Sequence, residues 1–342
     1  MRRIALIAPV LLMACASAQR SAPQQRPPAM VATVDTPIDL AAPLQLDRAI
    51  SLTIERHPLR AAPGGGPIEA REQSAHEREL RYAVAIAYGE YVRATLVRAA
   101  QERSVRLAET IAQSIRSRAT PTPLDTERLP IEIARVRMAE AHSEWSLDRA
   151  RTALNGLLAR PADAPIGPPT DDAPRTVSMG LDDLVQRALH NHAPDPNDHE
   201  AAAIVRGTLD DLRDQLQQLA REWDVLRNDA IAHADTLRAR LESAARANGA
   251  DFDALWSAEQ MVTDVEVSRA QLVSDLVGAV AELQRAVGEP LETTALPPAP
   301  AVAAATEAAP TPAPASPAPE SSASPSPAPS GARGHRPGQT RH

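Results

Sequence analysis

The chain has 342 residues, 32 prolines, a net charge of −8, only three tryptophans, three tyrosines and one phenylalanine, and no lysine. An acidic chain without a basic face offers nucleic acid nothing to bind, and a single cysteine leaves no internal disulfide. So few large rings among many alanines favour helices packed closely together over a core of bulky side chains.

Met1-Arg2-Arg3 followed by the apolar run Ile4 to Ala14 reads as a secretory signal over residues 1–14, too short to cross a bilayer as a mature helix. It ends in Leu12-Met13-Ala14-Cys15, which resembles the lipobox of bacterial lipoproteins. By that resemblance Cys15 carries the lipid and 15–43 is a lipidated linker. Ala16-Ser17-Ala18 offers the other reading, an ordinary cleavage site.

Leu46, Ala49, Ile50, Thr53 and Ile54 share one face of a short helix, which must end at His57 because proline follows. Pro63 to Pro67 break the chain. From Ile68 to Arg118 only Gly89 interrupts a long helix, striped by Tyr82, Ile86, Leu96, Leu107, Ile111 and Ile115. Thr120 to Pro123 turn it. The return helix, expected to start just before Pro130, carries Ile131, Ala134, Met138, Ala141, Trp145, Leu147, Ala150, Leu154 and Leu157.

The pattern then returns. Leu46-Asp47 recurs as Leu181-Asp182, and Leu124-Asp125 as Phe252-Asp253, at nearly constant spacing. Such a period marks a duplicated structural unit: repeats over 44–175 and 176–290. In the second, Leu209, Leu212, Leu216, Leu219, Trp223, Leu226, Ala230, His233, Leu237, Leu241 and Ala244 alternate steps of three and four, with one slip. That is a heptad seam, with His233 as a polar seam residue. Asn248-Gly249 stops this helix. Leu255, Val262, Val265, Leu272, Leu276, Val280, Leu283 and Val287 stripe its return. Residues 291–342, rich in Pro, Ala and Ser, cannot bury enough apolar surface to fold. The fold class expected is therefore all-α: two tandem long helical hairpins with short lead helices, a disordered tether and a disordered tail.

The chain resembles the TolC-type outer-membrane efflux factors, many of them lipoproteins. Leu44-Gln45-Leu46-Asp47-Arg48-Ala49-Ile50 through His57-Pro58, and Leu181 to Leu189, match the opening of that family's repeat. Thr122-Pro123-Leu124-Asp125 matches its hairpin tip, and Gly249 with Phe252-Asp253-Ala254-Leu255 matches more loosely. The resemblance implies a helical conduit of an efflux system, a homo-trimer, an inner-membrane pump, and a periplasmic adaptor meeting the tips. Thr122, Pro123, Leu124, Asp125, Gly249, Phe252, Asp253 and Leu255 are the partner-binding residues so implied, with Asp125 and Asp253 alternatively plain helix caps. The family's membrane strands have no counterpart, since no segment alternates in polarity over about ten residues; the acyl anchor would hold the protein at the outer membrane, facing the periplasm. A rival of another class is a structural coiled-coil spacer between outer membrane and cell wall.

No enzyme, cofactor or metal site is indicated. His190, His192 and His199 lack zinc-site spacing. Gly64 to Gly66 follow no strand and carry no phosphate-binding Lys. Asp210, Asp211, Asp214, Asp224, Asp229 and Asp235 read as a solvated helix face, or else as a cation-attracting lining.

Overall fold

The computed structural model describes residues 42–57, 67–117, 123–170, 173–192, 199–246 and 251–297. Seven α-helices occur among them: α1 Leu46–Arg56, α2 Pro67–Arg116, α3 Pro123–Leu157, α4 Leu181–His192, α5 His199–Val225, α6 Ala232–Arg246 and α7 Phe252–Val287. A π-helical turn, Leu226–Ile231, joins α5 to α6 without a break. The two strands described, β1 Arg175–Thr176 and β2 Thr294–Ala295, are antiparallel and two residues long. The fold is all-α, with two long hairpins in tandem. At 50 residues α2 is roughly 75 Å long.

The hairpins are not separate bodies. α2 packs along both α3 and α7, while α5 and α6 pack on α7 and α6 also reaches α2. α3 and α7 flank α2 and α5–α6 lies beyond α7, which leaves α3 and α5–α6 as the outer helices, although towards the tip α6 also touches α2 and α3 touches α7. Close approach of α2 and α7 is made possible by small residues. A side chain at Gly89 would meet Ser274 and Val277 at 3.3–3.4 Å, and one at Gly278 would meet Ile86 at 3.5 Å.

The core has two tiers. Towards the tips, Val105, Ile111 and Ile115 of α2 meet Leu129 and Val136 of α3, Leu241 of α6, and Phe252, Trp256 and Val262 of α7. Towards the base, Tyr88 and Tyr91 meet Leu154, Leu216, Trp223, Leu276 and Leu283, together with Ala49 and Leu52 of α1 and Leu184 and Ala188 of α4.

Each lead helix docks its end on the end of its return helix, where backbone carbonyls lack helical partners. Arg56 Nη1 donates to Leu158 O (2.8 Å) and His57 Nε2 to Leu157 O (2.9 Å). In the second copy Asn191 Nδ2 donates to Val287 O (3.0 Å). The chain beyond each return helix then closes on the segment before its lead helix. Leu44 N donates to Pro168 O (2.9 Å), Tyr88 Oη donates to Leu44 O (2.8 Å) and Tyr91 Oη to Gly167 O (2.9 Å). Buried Asn155 holds the first such loop, its Nδ2 donating to Ala162 O (3.1 Å) and Ala164 O (2.8 Å). In the second, β2 pairs with β1 and Trp223 Nε1 donates to Pro297 O (3.3 Å). Packing thus continues seven residues beyond Pro290, where the sequence reading ends the second repeat.

Two other expectations are corrected. α3 starts at Pro123, not just before Pro130, so Pro130 lies inside the helix and deletes one rung of its hydrogen-bond ladder. Burial of Leu129 in the tip core holds the earlier turn helical against that loss. In α5–α6 the seam does not run on through Ala230 and His233. A π turn inserts one extra residue into helical phase, so Ile231 and Ala234 are buried and His233 is exposed.

Gly288 ends α7 with φ +93°, and a Cβ there would lie 2.7 Å from His192 Nε2 and 2.9 Å from Asn191 Cβ. Gly288→Ala should therefore cost about 1–3 kcal/mol from backbone strain plus displacement of α4, read as a lowered melting temperature. Partial burial, and then the Arg78 guanidinium, hold the His192 imidazole below its ordinary pKa, against a hydrogen bond with the Ala286 backbone. The unfolded chain therefore binds that proton more readily, and stability from this site is lost as pH falls from the unfolded value of about 6.5 down through the lower folded one. The slope of melting temperature against pH in that range should flatten in His192→Gln.

Candidate functional site

The tip is built from the starts of α3 and α7. Asp251 caps α7, its Oδ1 accepting from Asp253 N (3.0 Å). The cap is thus Asp251 and not Asp253, which is the second helical residue. Asp125, third in α3, is not at a cap position either. Phe252 (3% exposed) and Leu255 are buried in the tip core. Asp253 is exposed and pairs with Arg128 Nη1 of α3 at 2.5 Å. The same guanidinium lies 5.5 Å from the Phe252 ring centroid, and Arg135 lies 5.8 Å from that of Trp256. Phe252 and Trp256 stack at 5.9 Å. These cation–π contacts, each about 0.5–1 kcal/mol when exposed, fasten the second hairpin's tip to the first hairpin's return helix.

Cys15, expected to carry the lipid, and Thr122 and Gly249, expected to meet a partner, lie outside the described residues. Pro123, Leu124 and Asp125 form the first turn of α3, with side chains outside the described ones. The sequence reading did not single out Arg128 and Arg135. Their signal was a pair of arginines a heptad apart on a helix facing aromatic residues.

A polar layer runs from within the tip-side tier towards the base. Buried Glu259 of α7 (3% exposed) accepts from Ser104 Oγ of α2 and from Thr263 Oγ1 (2.9 Å). One turn or two further on, Glu266 accepts from Arg103 Nη2 (2.9 Å) and from Arg238 of α6. A carboxylate buried on hydrogen bonds from one neighbour is costly in any other alignment, so this layer fixes the sliding register of α2, α6 and α7.

An exposed apolar line runs along α3. Ile131 (68% exposed), Met138 (73%) and Trp145 (57%) stand in line a heptad apart, with Ala134 and Ala141 exposed between them. The sequence reading placed all five in one stripe with Leu147, Ala150 and Leu154. The structure separates them, because Leu129, Val136, Leu147, Ala150 and Leu154 face α2 and the core. α3 carries two seams, one filled and one open. A groove beside the open one runs from His142, Trp145 and Arg149 to Glu79, Ile86 and Glu90 of α2. On the opposite edge of the layer, Ile204 and Val225 of α5 are exposed, as are all six aspartates from Asp210 to Asp235. Asp210, Asp224 and Asp235 pair with arginines three residues on.

Among the described residues no group of three or more His, Cys, Asp or Glu could hold a metal ion, and no helix is long and apolar enough to cross a membrane.

Truncation separates the two kinds of tip residue. Phe252→Ala should destabilise the protein by about 3–5 kcal/mol as a core deletion. Asp253→Ala, losing an exposed ion pair, should cost under about 1 kcal/mol. Thermal or urea melts of both variants check this.

No protein-family model matches the chain, and no curated protein matches it by sequence. Among solved structures, it is similar to the open state of the MtrE outer membrane channel of Neisseria gonorrhoeae. The TM-score is 0.51 at 14% identity, over 66% of this chain and 69% of the channel's. The likeness is one of fold: a TolC-like arrangement of long helical hairpins.

Proposed function

We propose that the protein is an efflux-related lipoprotein of the outer membrane that faces the periplasm and builds the helical wall of a conduit by edge-to-edge self-association, as a homo-trimer. It is not an enzyme. An inner-membrane pump supplies the energy, a periplasmic adaptor meets the hairpin tips, and the acyl group on Cys15 takes the place of membrane strands. The TolC-like fold supports the class of function. The observation that carries the reading is the open seam of α3.

A monomer that leaves Ile131, Met138 and Trp145 in water forgoes about 1.5–3 kcal/mol for each on full burial. Exposed apolar stripes of this size mark interaction surfaces. A heptad-spaced stripe selects another helix as its occupant. The other edge of the same layer, α5–α6, is a longer continuous helix with Ile204 and Val225 exposed. Joining unlike edges of identical copies is a heterologous contact, which closes into a ring when the rotation allows. The tip residues Leu124 and Asp253 are where the adaptor would dock.

Met138→Glu combined with Trp145→Glu should convert the oligomer to monomer in sedimentation equilibrium while helix content by circular dichroism stays the same. A wild-type chain that is already monomeric at tens of micromolar would sink the proposal. A photo-crosslinking residue at Asp253 should capture a co-expressed adaptor. Recovery of the chain with peptidoglycan and with no adaptor would favour a spacer instead.

A further inference from the structure

We infer that the cavity enclosed by α1, the first turns of α2, the last turns of α7 and β1 binds a single-chain amphiphile with an anionic head group, of the medium-chain carboxylate class. The cavity measures about 380 Å³, within the roughly 300–1,000 Å³ of small-molecule sites. It would hold one acyl chain, whereas a two-tailed phospholipid is too large. Its apolar wall comes from Leu46 and Ile50 of α1, Tyr82 of α2, Leu276 and Val280 of α7, and Leu291 after it.

Four arginines also line the space: Arg78, Arg81, Arg175 and Arg285. Arg285 is engaged, with Nε on Glu79 at 2.8 Å and its guanidinium 4.8 Å from the Tyr82 centroid. Arg78 and Arg81 are half-buried on α2, and neither has a carboxylate within ion-pair distance among the described residues. The Arg78 charge is felt as far as His192, whose protonation it opposes. Three carboxylates share the lining: Asp47, Glu77 and Glu289. Glu289 is held by Arg187 at 2.6 Å, and Glu77 accepts from Gln73 at 3.2 Å. Asp47 and Glu77 offset part of the charge in this lining, but Arg78 and Arg81 beside an apolar wall still offer an anion charge-assisted hydrogen bonds, and burial of its chain adds about 0.8 kcal/mol per methylene. This site stands independently of the conduit reading.

The test uses the purified full chain held in amphipol and titrated with the fluorescent fatty acid 11-(dansylamino)undecanoate. Saturable binding at one probe per chain is expected, displaced by laurate and not by dodecyltrimethylammonium. Arg78→Glu with Arg81→Glu should weaken binding by on the order of tenfold or more, and Ile50→Trp, which fills the cavity, should do the same with the arginines intact. The milder pair Arg78→Gln with Arg81→Gln covers the case in which charge reversal lowers helix content. Non-saturable uptake, equal displacement by the cationic amphiphile, or unchanged affinity in a folded arginine variant would each overturn the assignment.

Discussion

The structure depends on α2 lying between two return helices at once. A helix of that length with a narrow apolar stripe is not stable alone in water; it needs both flanks covered, and α3 and α7 supply one each. Gly89, Gly278 and the small side chains around them let α2 and α7 approach closely, and the scarcity of large rings follows from the same requirement. Because α7 belongs to the second copy and α2 to the first, duplication here made one layer and not two domains.

That shared layer has consequences along its length. Apolar seams can slide by a heptad at little cost, so register must be set by something less tolerant. Glu259 on Ser104, and Glu266 between Arg103 and Arg238, provide it midway. The lead helices provide it at the base, where Arg56, His57 and Asn191 bond the ends of α3 and α7. At the tip the Arg128 and Arg135 contacts to Phe252 and Trp256 complete the fastening.

The all-α class and the order of long and short helices were legible because apolar periodicity over dozens of residues leaves few alternatives. Three particulars were not. Periodicity cannot locate a π turn, since an extra residue in phase looks like a slip anywhere nearby; hence His233 read as seam and stands in water. Proline rules gave a start near Pro130, but burial of Leu129 outweighed one missing hydrogen bond. The two stripes of α3 read as one because spacing shows that a residue is on a face, not which neighbour covers it. The exposed stripe of α3 was in this way present in the sequence as an excess of apolar positions over what one hairpin can bury.

The central claim is that α3 presents an edge made for another copy of the chain. Electron cryo-microscopy of the full chain extracted from membranes tests it directly. A closed ring in which α3 of one protomer packs its Ile131–Met138–Trp145 line on α5–α6 of the next is the predicted result. Particles of a single protomer, or rings joined elsewhere with that line left in solvent, would contradict it.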